Sequence, residues 1–161
     1  MVSWFRRRRE DAPTPPDAPP EDDPAALGEQ LRGLVRFINE SSGRLPGESV
    51  VTARRITDVL REIIDSAEVR ALDVYAVISV KATVGDYLPA TLTRFLAIDP
   101  SQLNVPSAAG PTPVESLQVQ LDSLLDSVVD LLAATRAHDA DALAAHGRFL
   151  HTKFSRSDLE I

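Results

Sequence analysis

The chain has 161 residues, 43% hydrophobic and 25% charged, with a net charge of −7 and no cysteine. That length implies one domain, and the acidic balance disfavours nucleic-acid binding, which needs clustered Lys and Arg against phosphates. The absence of cysteine excludes disulfides, thiolate catalysis and Cys-based zinc sites.

Residues 1–23 read as a disordered tail in two parts of opposite sign. Met1 to Arg9 places the only Trp of the chain, Trp4, beside Phe5 and the block Arg6, Arg7, Arg8 and Arg9. Trp and Phe favour the membrane interface, and each base near an anionic surface adds about 1 kcal/mol. The block therefore reads as a peripheral membrane anchor or a docking peptide. The plainer reading is a solubilising tail. Glu10 to Pro24 holds six acids, six prolines and no base, which makes an extended linker. Arginines followed by proline and acid do not make a signal peptide. No apolar run approaches the roughly 18 residues of a membrane-spanning helix. The expected location is cytoplasmic, with recruitment to the inner membrane face through the tail.

Residues 24–154 read as one helical domain. Aromatics are only 5% of the chain, so its core must be aliphatic, as suits a bundle. Asp23 and Pro24 open a first helix reaching about Glu40, with Leu27, Leu31, Leu34, Val35 and Ile38 on one face. Gly28 and Gly33 either weaken this helix or admit a close neighbour. A short connection then predicts an antiparallel second helix from about Pro46 to at least Ala67. Arg54–Asp58 and Arg61–Asp65 are spaced as i,i+4 pairs on its outer face. Nothing between Ala67 and Val84 breaks a helix, so the rod can run on for roughly 57 Å. Val74 to Val80 also has strand propensity, but a lone strand would have no partner, and the helix is preferred.

Gly85-Asp86-Tyr87-Leu88-Pro89 predicts a kink, because Pro89 lacks an N–H and clashes with an i−4 carbonyl. A short helix comes next, from Ala90 to Ala97, with Leu92, Phe95 and Leu96 inward. Residues 99–112 read as a long surface loop. Thr112, Pro113 and Glu115 form a capping box with Pro at the first helical position. Leu117, Leu121, Leu124, Leu125, Val128, Leu131 and Leu132 make the buried stripe of the helix they open. Asp122, Asp126 and Asp130 line its opposite side, read as a solvated face. Asp139 caps a last helix, with Leu143, Phe149 or Leu150, and Phe154 inward. Residues 155–161 form a C-terminal tail that either frays or docks in a groove. The fold class is thus all-α: four or five helices around one long kinked central helix.

No P-loop or Gly-rich dinucleotide fingerprint is present. His138, His146 and His151 lack metal-ligand spacing, and no metal or cofactor is expected. The candidate site is Lys81, Asp86 and Tyr87, flanking the helix break where backbone groups lose their partners. The structural reading beside it has Tyr87 packing at the kink, Asp86 capping the short helix and Lys81 solvated.

Asp86-Tyr87-Leu88-Pro89-Ala90-Thr91-Leu92, followed by Phe95-Leu96, resembles the Tyr-Leu-Pro-x-Thr-Leu segment of XpaC-like proteins. This bacterial family is named for hydrolysis of an indolyl phosphate dye and is found with toxic-anion resistance proteins of the TelA type. Its members commonly begin with hydrophobic membrane segments, where this chain has Trp4-Phe5 and four arginines. The resemblance implies a helical accessory protein in a bacterial envelope-stress or resistance setting. The residues themselves favour a non-enzymatic interaction module with a protein partner. The alternative is a phosphate-ester hydrolase or small-molecule-binding protein with its site at the Asp86–Pro89 break.

Overall fold

A computed structural model describes residues 22–108 and 110–155. The Trp4 to Arg9 block, the rest of the 1–21 segment and the 156–161 segment lie outside the described residues. Among the described residues six α-helices succeed one another: α1 (Pro24–Ser41), α2 (Gly47–Asp65), α3 (Val74–Ala82), α4 (Leu88–Leu96), α5 (Pro113–Ala137) and α6 (Ala140–Ser155). A π turn, Thr83–Tyr87, joins α3 to α4 without leaving right-handed helical geometry, so the six helices form five rods. The protein is an all-α bundle, and α3–π–α4 is a helix interrupted by one π turn.

The rod expected from Pro46 onward is divided. α2 passes into a 3₁₀ turn at Ser66–Glu68, and α3 starts only at Val74. Two side chains compete with the backbone there. The Ser66 hydroxyl donates to the Ile63 carbonyl at 2.6 Å. Asp73 Oδ1 accepts the Tyr75 N–H at 2.8 Å, as an N-cap with extended backbone. The break lets the apolar segment after Asp73 return along the bundle instead of projecting beyond it. Val74 to Val80 is helical, as preferred over the strand.

Cross-contacts give the rod directions. Ser49 meets Gln118 and Glu62 meets Arg136, so α2 and α5 run parallel. Ser79 lies against Gly147, and Tyr87 stacks on Phe154, so α3 and α6 run parallel as well. The two-residue turn at His138-Asp139 makes α5 and α6 antiparallel. The Arg44 guanidinium donates to the Leu96 carbonyl at 2.7 Å, which fixes the end of α4 beside the α1–α2 turn. The rods therefore alternate direction along the chain.

The core joins Leu27, Leu31 and Ile38 of α1 to Ile56, Leu60 and Ile63 of α2 and Leu121, Leu124, Val128 and Leu131 of α5, all essentially inaccessible. Each such aliphatic side chain is worth about 1.5–3 kcal/mol of burial. α3 and α4 add Ala76, Val80, Leu88 and Leu92, and α6 adds Leu143 and Leu150. Val35 and Leu125 are only partly covered, and Phe149 faces outward, so Leu150 is the inward residue of that pair. A polar lock crosses the α2–α5 seam. The Ser49 hydroxyl donates to Gln118 Oε1 at 3.0 Å, and Gln118 Nε2 donates to Thr52 Oγ1 at 3.0 Å. Gly28 and Gly33 face open space, so no helix approaches α1 closely there. Arg61 pairs with Asp58 rather than Asp65, and Arg54 donates to Asn39 Oδ1 of α1 at 2.6 Å.

Candidate functional site

At the residues where the sequence predicts a kink, the structure has a π turn, Thr83–Tyr87. Pro89 has no N–H to give the Gly85 carbonyl, and its ring excludes that carbonyl. One wide turn absorbs the conflict, with the Leu88 N–H bonded to the Thr83 carbonyl five residues back. Thr83 is fully buried, and its hydroxyl donates to the Ser79 carbonyl at 2.8 Å. The π turn leaves Asp86 exposed and Tyr87 half-covered.

Tyr87 packs at the π turn. Its ring stacks on Phe154 with centroids 5.3 Å apart and planes 28° from parallel. Burial raises its phenol above the ordinary tyrosine value; the Ser155 side chain, within hydrogen-bond reach, opposes this, and the Asp86 carboxylate adds to it. Asp86 does not cap α4: Tyr87 occupies the cap position, no side-chain bond is made there, and Asp86 lies one residue earlier inside the π turn. Lys81 is not drawn to Asp86 or Tyr87 either, but pairs with Asp22 at the start of α1 at 3.1 Å. The three candidate residues therefore do not converge. Asp86 and Tyr87 share a crevice with Ala90, Thr91, Arg94, Gln120 and Phe154, but it holds only about 10 Å³, roughly the room for one water.

That crevice is one end of something larger. Thr91, Arg94 and Gln120 also line a groove of about 560 Å³ between α4, the connection after it and the start of α5. The walls are apolar, from Phe95, Ile98, Val105, Pro106 and Leu117, with Arg94, Gln102 and Gln120 as polar groups. Such a lining, with a few convergent polar groups, is typical of binding clefts. Local chemistry holds its rim. Asp99 accepts from the Ser101 N–H at 2.8 Å, which caps the 3₁₀ turn Pro100–Gln102, and its bonds to the Ser101 hydroxyl and N–H lower the Asp99 carboxyl below its ordinary range. The Val114 N–H donates to the Leu103 carbonyl at 3.3 Å. The Thr112–Glu115 capping box is complete in both directions. Sequence reasoning missed the groove because its walls come from separate segments. The available signal was the length of the 99–112 loop, since long loops in compact domains are often functional.

A second concavity, about 690 Å³, lies between the α2–α3 connection and the α5–α6 turn, lined by Arg70, Asp73, Arg136 and His138 among others. Arg136 is paired with Glu62 of α2. Between α3 and α6, Ser79 Oγ and His146 Nε2 are buried without hydrogen-bond partners among the described residues. Burial lowers the His146 imidazole below its ordinary value, and Asp130 opposes the shift. Asp122, Asp126 and Asp130 are exposed, and Asp122 accepts from Gln118 Nε2 at 2.9 Å. Among the described residues no three acids or histidines lie close enough to hold a metal ion, and no helix is long and apolar enough to cross a membrane. No protein-family model, curated protein or solved structure matches this chain.

Proposed function

We propose that the chain is a non-enzymatic helical interaction protein whose α3 receives an apolar helix of a partner protein. One observation carries this reading. α3 is hydrophobic on all sides, a pattern that belongs to buried helices, yet Val74, Ile78 and Tyr75 stand 61%, 54% and 44% exposed. Val74 and Ile78 are one turn apart on a single face. Lys81 continues the same face, and its ion pair with Asp22 puts the junction with residues 1–21 beside it. The Trp4, Phe5 and Arg6 to Arg9 block would then bring the partner-binding face to an anionic membrane surface from the cytoplasmic side. The XpaC-like resemblance of residues 86–96 supports an accessory role in a bacterial envelope-stress or toxic-anion resistance setting.

Two experiments on the full chain test this. Cross-linking in the source cell is expected to trap a partner with the wild type and with Val119→Glu, an exposed change on α5, and to lose it with Ile78→Glu at unchanged unfolding midpoint. Retention by Ile78→Glu would remove α3 from the reading. Vesicle flotation is expected for the wild type on anionic but not neutral lipid, and not for Trp4→Ser/Phe5→Ser. Turnover of a chromogenic phosphate ester, lost in Asp86→Ala with the fold intact, would replace the proposal with the hydrolase alternative.

A further inference from the structure

The concavity of about 690 Å³ has residues 66–73 on one side and the α5–α6 corner on the other. Two of its side chains are unexplained by folding. Val69 is 92% exposed, more than any other large apolar residue among those described. The Arg70 guanidinium beside it has neither an ion pair nor a hydrogen bond among the described residues. The same lining includes Leu72, which packs on the core, and Leu143, which belongs to it. A free cation thus shares a cavity with uncovered apolar surface. We propose that this concavity binds a small organic carboxylate, a monoanion with an aliphatic body. Arg70 and His138 hold its head, and Val69, Leu72 and Leu143 cover its body.

The wall that carries Val69 and Arg70 is fixed at both ends. Their N–H groups both donate to the Ser66 carbonyl at 3.2 Å, and Asp73 is held as the N-cap of α3. A set backbone lowers the ordering cost of binding. The opposite wall includes His138, whose left-handed backbone keeps an imidazole where glycine would be less strained. That ring has no hydrogen-bond partner among the described residues, and it can donate an N–H to a carboxylate oxygen. The charges select among anions. Arg136 also lines the concavity but is paired with Glu62, while the Asp73 carboxylate accepts the Tyr75 N–H. One guanidinium is left to be neutralised, which suits one negative charge, and Asp73 repels a second. The planar guanidinium fork matches both oxygens of a carboxylate. An aliphatic body would take Val69 out of water, which is favourable in itself. Binding here does not depend on a partner at α3.

The test is an NMR titration of the full chain with octanoate at about pH 8, where octyl phosphate carries a second charge and octanol none. Octanoate is expected to move the resonances of Val69, Leu72, Ala140 and Leu143 saturably. At those resonances it should bind severalfold more tightly than octanol or octyl phosphate. Arg70→Gln should weaken octanoate about tenfold and leave octanol unchanged. His138→Gly should also weaken octanoate while the unfolding midpoint rises, which separates a lost contact from a damaged fold. Val69→Ser should weaken octanoate and octanol alike. The proposal is overturned if octanoate does not saturate these resonances, if it binds no better than octanol, or if octyl phosphate binds more tightly. It is overturned as well if Arg70→Gln leaves the titration unchanged. Shifts confined to Ile98, Val105 and Leu117, or to Val74 and Ile78, would also overturn it, because they would place octanoate in the α4–α5 groove or on the α3 face.

Discussion

His138 ends α5 with φ 54° and ψ 40°, the left-handed region, and is the only non-glycine residue with positive φ among those described. It makes a helix stop in which the Asp139 N–H reaches the Ala134 carbonyl at 3.1 Å and the His138 N–H reaches the Thr135 carbonyl at 3.2 Å. A side chain in this conformation costs about 1–2 kcal/mol, which glycine avoids at some cost in unfolded-chain entropy. His138→Gly is therefore expected to raise stability by about 0.5–1 kcal/mol, read as a higher urea midpoint at unchanged slope, and His138→Val to lower it. His146 bears on pH instead. Its native-state pKa is lowered, chiefly by burial against the pull of Asp130, so the unfolded chain binds a proton that the native state resists. Its stabilising contribution is complete above the unfolded value of about 6.5. It is lost as pH falls from there through the lowered native value. Urea titrations at pH 7, 6 and 5 should show the wild type losing more stability than His146→Gln, and parallel losses would refute this.

At the scale of elements, the starts of α5 and α6 were legible because their caps are written in side chains, whereas Asp23 makes no side-chain cap bond at α1. Thr112-Pro113-Glu115 and Asp139 announced α5 and α6, and both caps form, the second through the Ala142 N–H to Asp139 Oδ1 at 3.0 Å. The gap between α2 and α3 was not legible, because it contains neither Gly nor Pro and α3 has no apolar period to mark a new phase. An interruption at Gly85–Pro89 was visible, but its π form follows from tertiary register. Ala76, Val80, Val84, Leu88 and Leu92 are all buried at intervals of four, and four residues of α-helix overshoot a full turn by about 40°. One wider turn takes back part of that drift and keeps Leu88 and Leu92 in the core. The candidate site was legible only at one edge. Asp86 and Tyr87 point to the crevice, whereas Thr91, Arg94 and Gln120, which connect it to the groove, lie on two helices with no shared local signal. Gly28 and Gly33 show an ambiguity that the structure resolves. With open space at both, each Gly→Ala change should stabilise α1 by about 0.5–1 kcal/mol, additively, as a thermal shift of a few degrees.

For the whole molecule, alternating rods create a gradient of cohesion. α2 and α5 share the widest seam, locked by Ser49, Gln118 and Thr52, with α1 packed on α2 and with α4 and α6 packed on α5. α6 packs on α3 and α5, fully buries only Leu143 and Leu150, and is held at its far end by Phe154 on Tyr87. Local opening follows such differences in buried contact, so α6 should detach as a unit at a lower free energy than the bundle unfolds. Detachment would uncover Ala76, Ser79 and the orphaned imidazole of His146, leaving α3 exposed on both sides. Hydrogen exchange on the full chain separates this from uniform unfolding. Amides of 142–155 should exchange together and with weak denaturant dependence, while those of Leu60, Leu124 and Leu131 exchange only through global unfolding. Phe154→Ala should speed the first group and leave the second nearly unchanged. Leu131→Ala, which opens a cavity in the central seam, should cost about 2–5 kcal/mol and speed the second group strongly. If Phe154→Ala instead accelerates both groups alike, α6 is integral to the cooperative core, and α3 is not uncovered short of global unfolding.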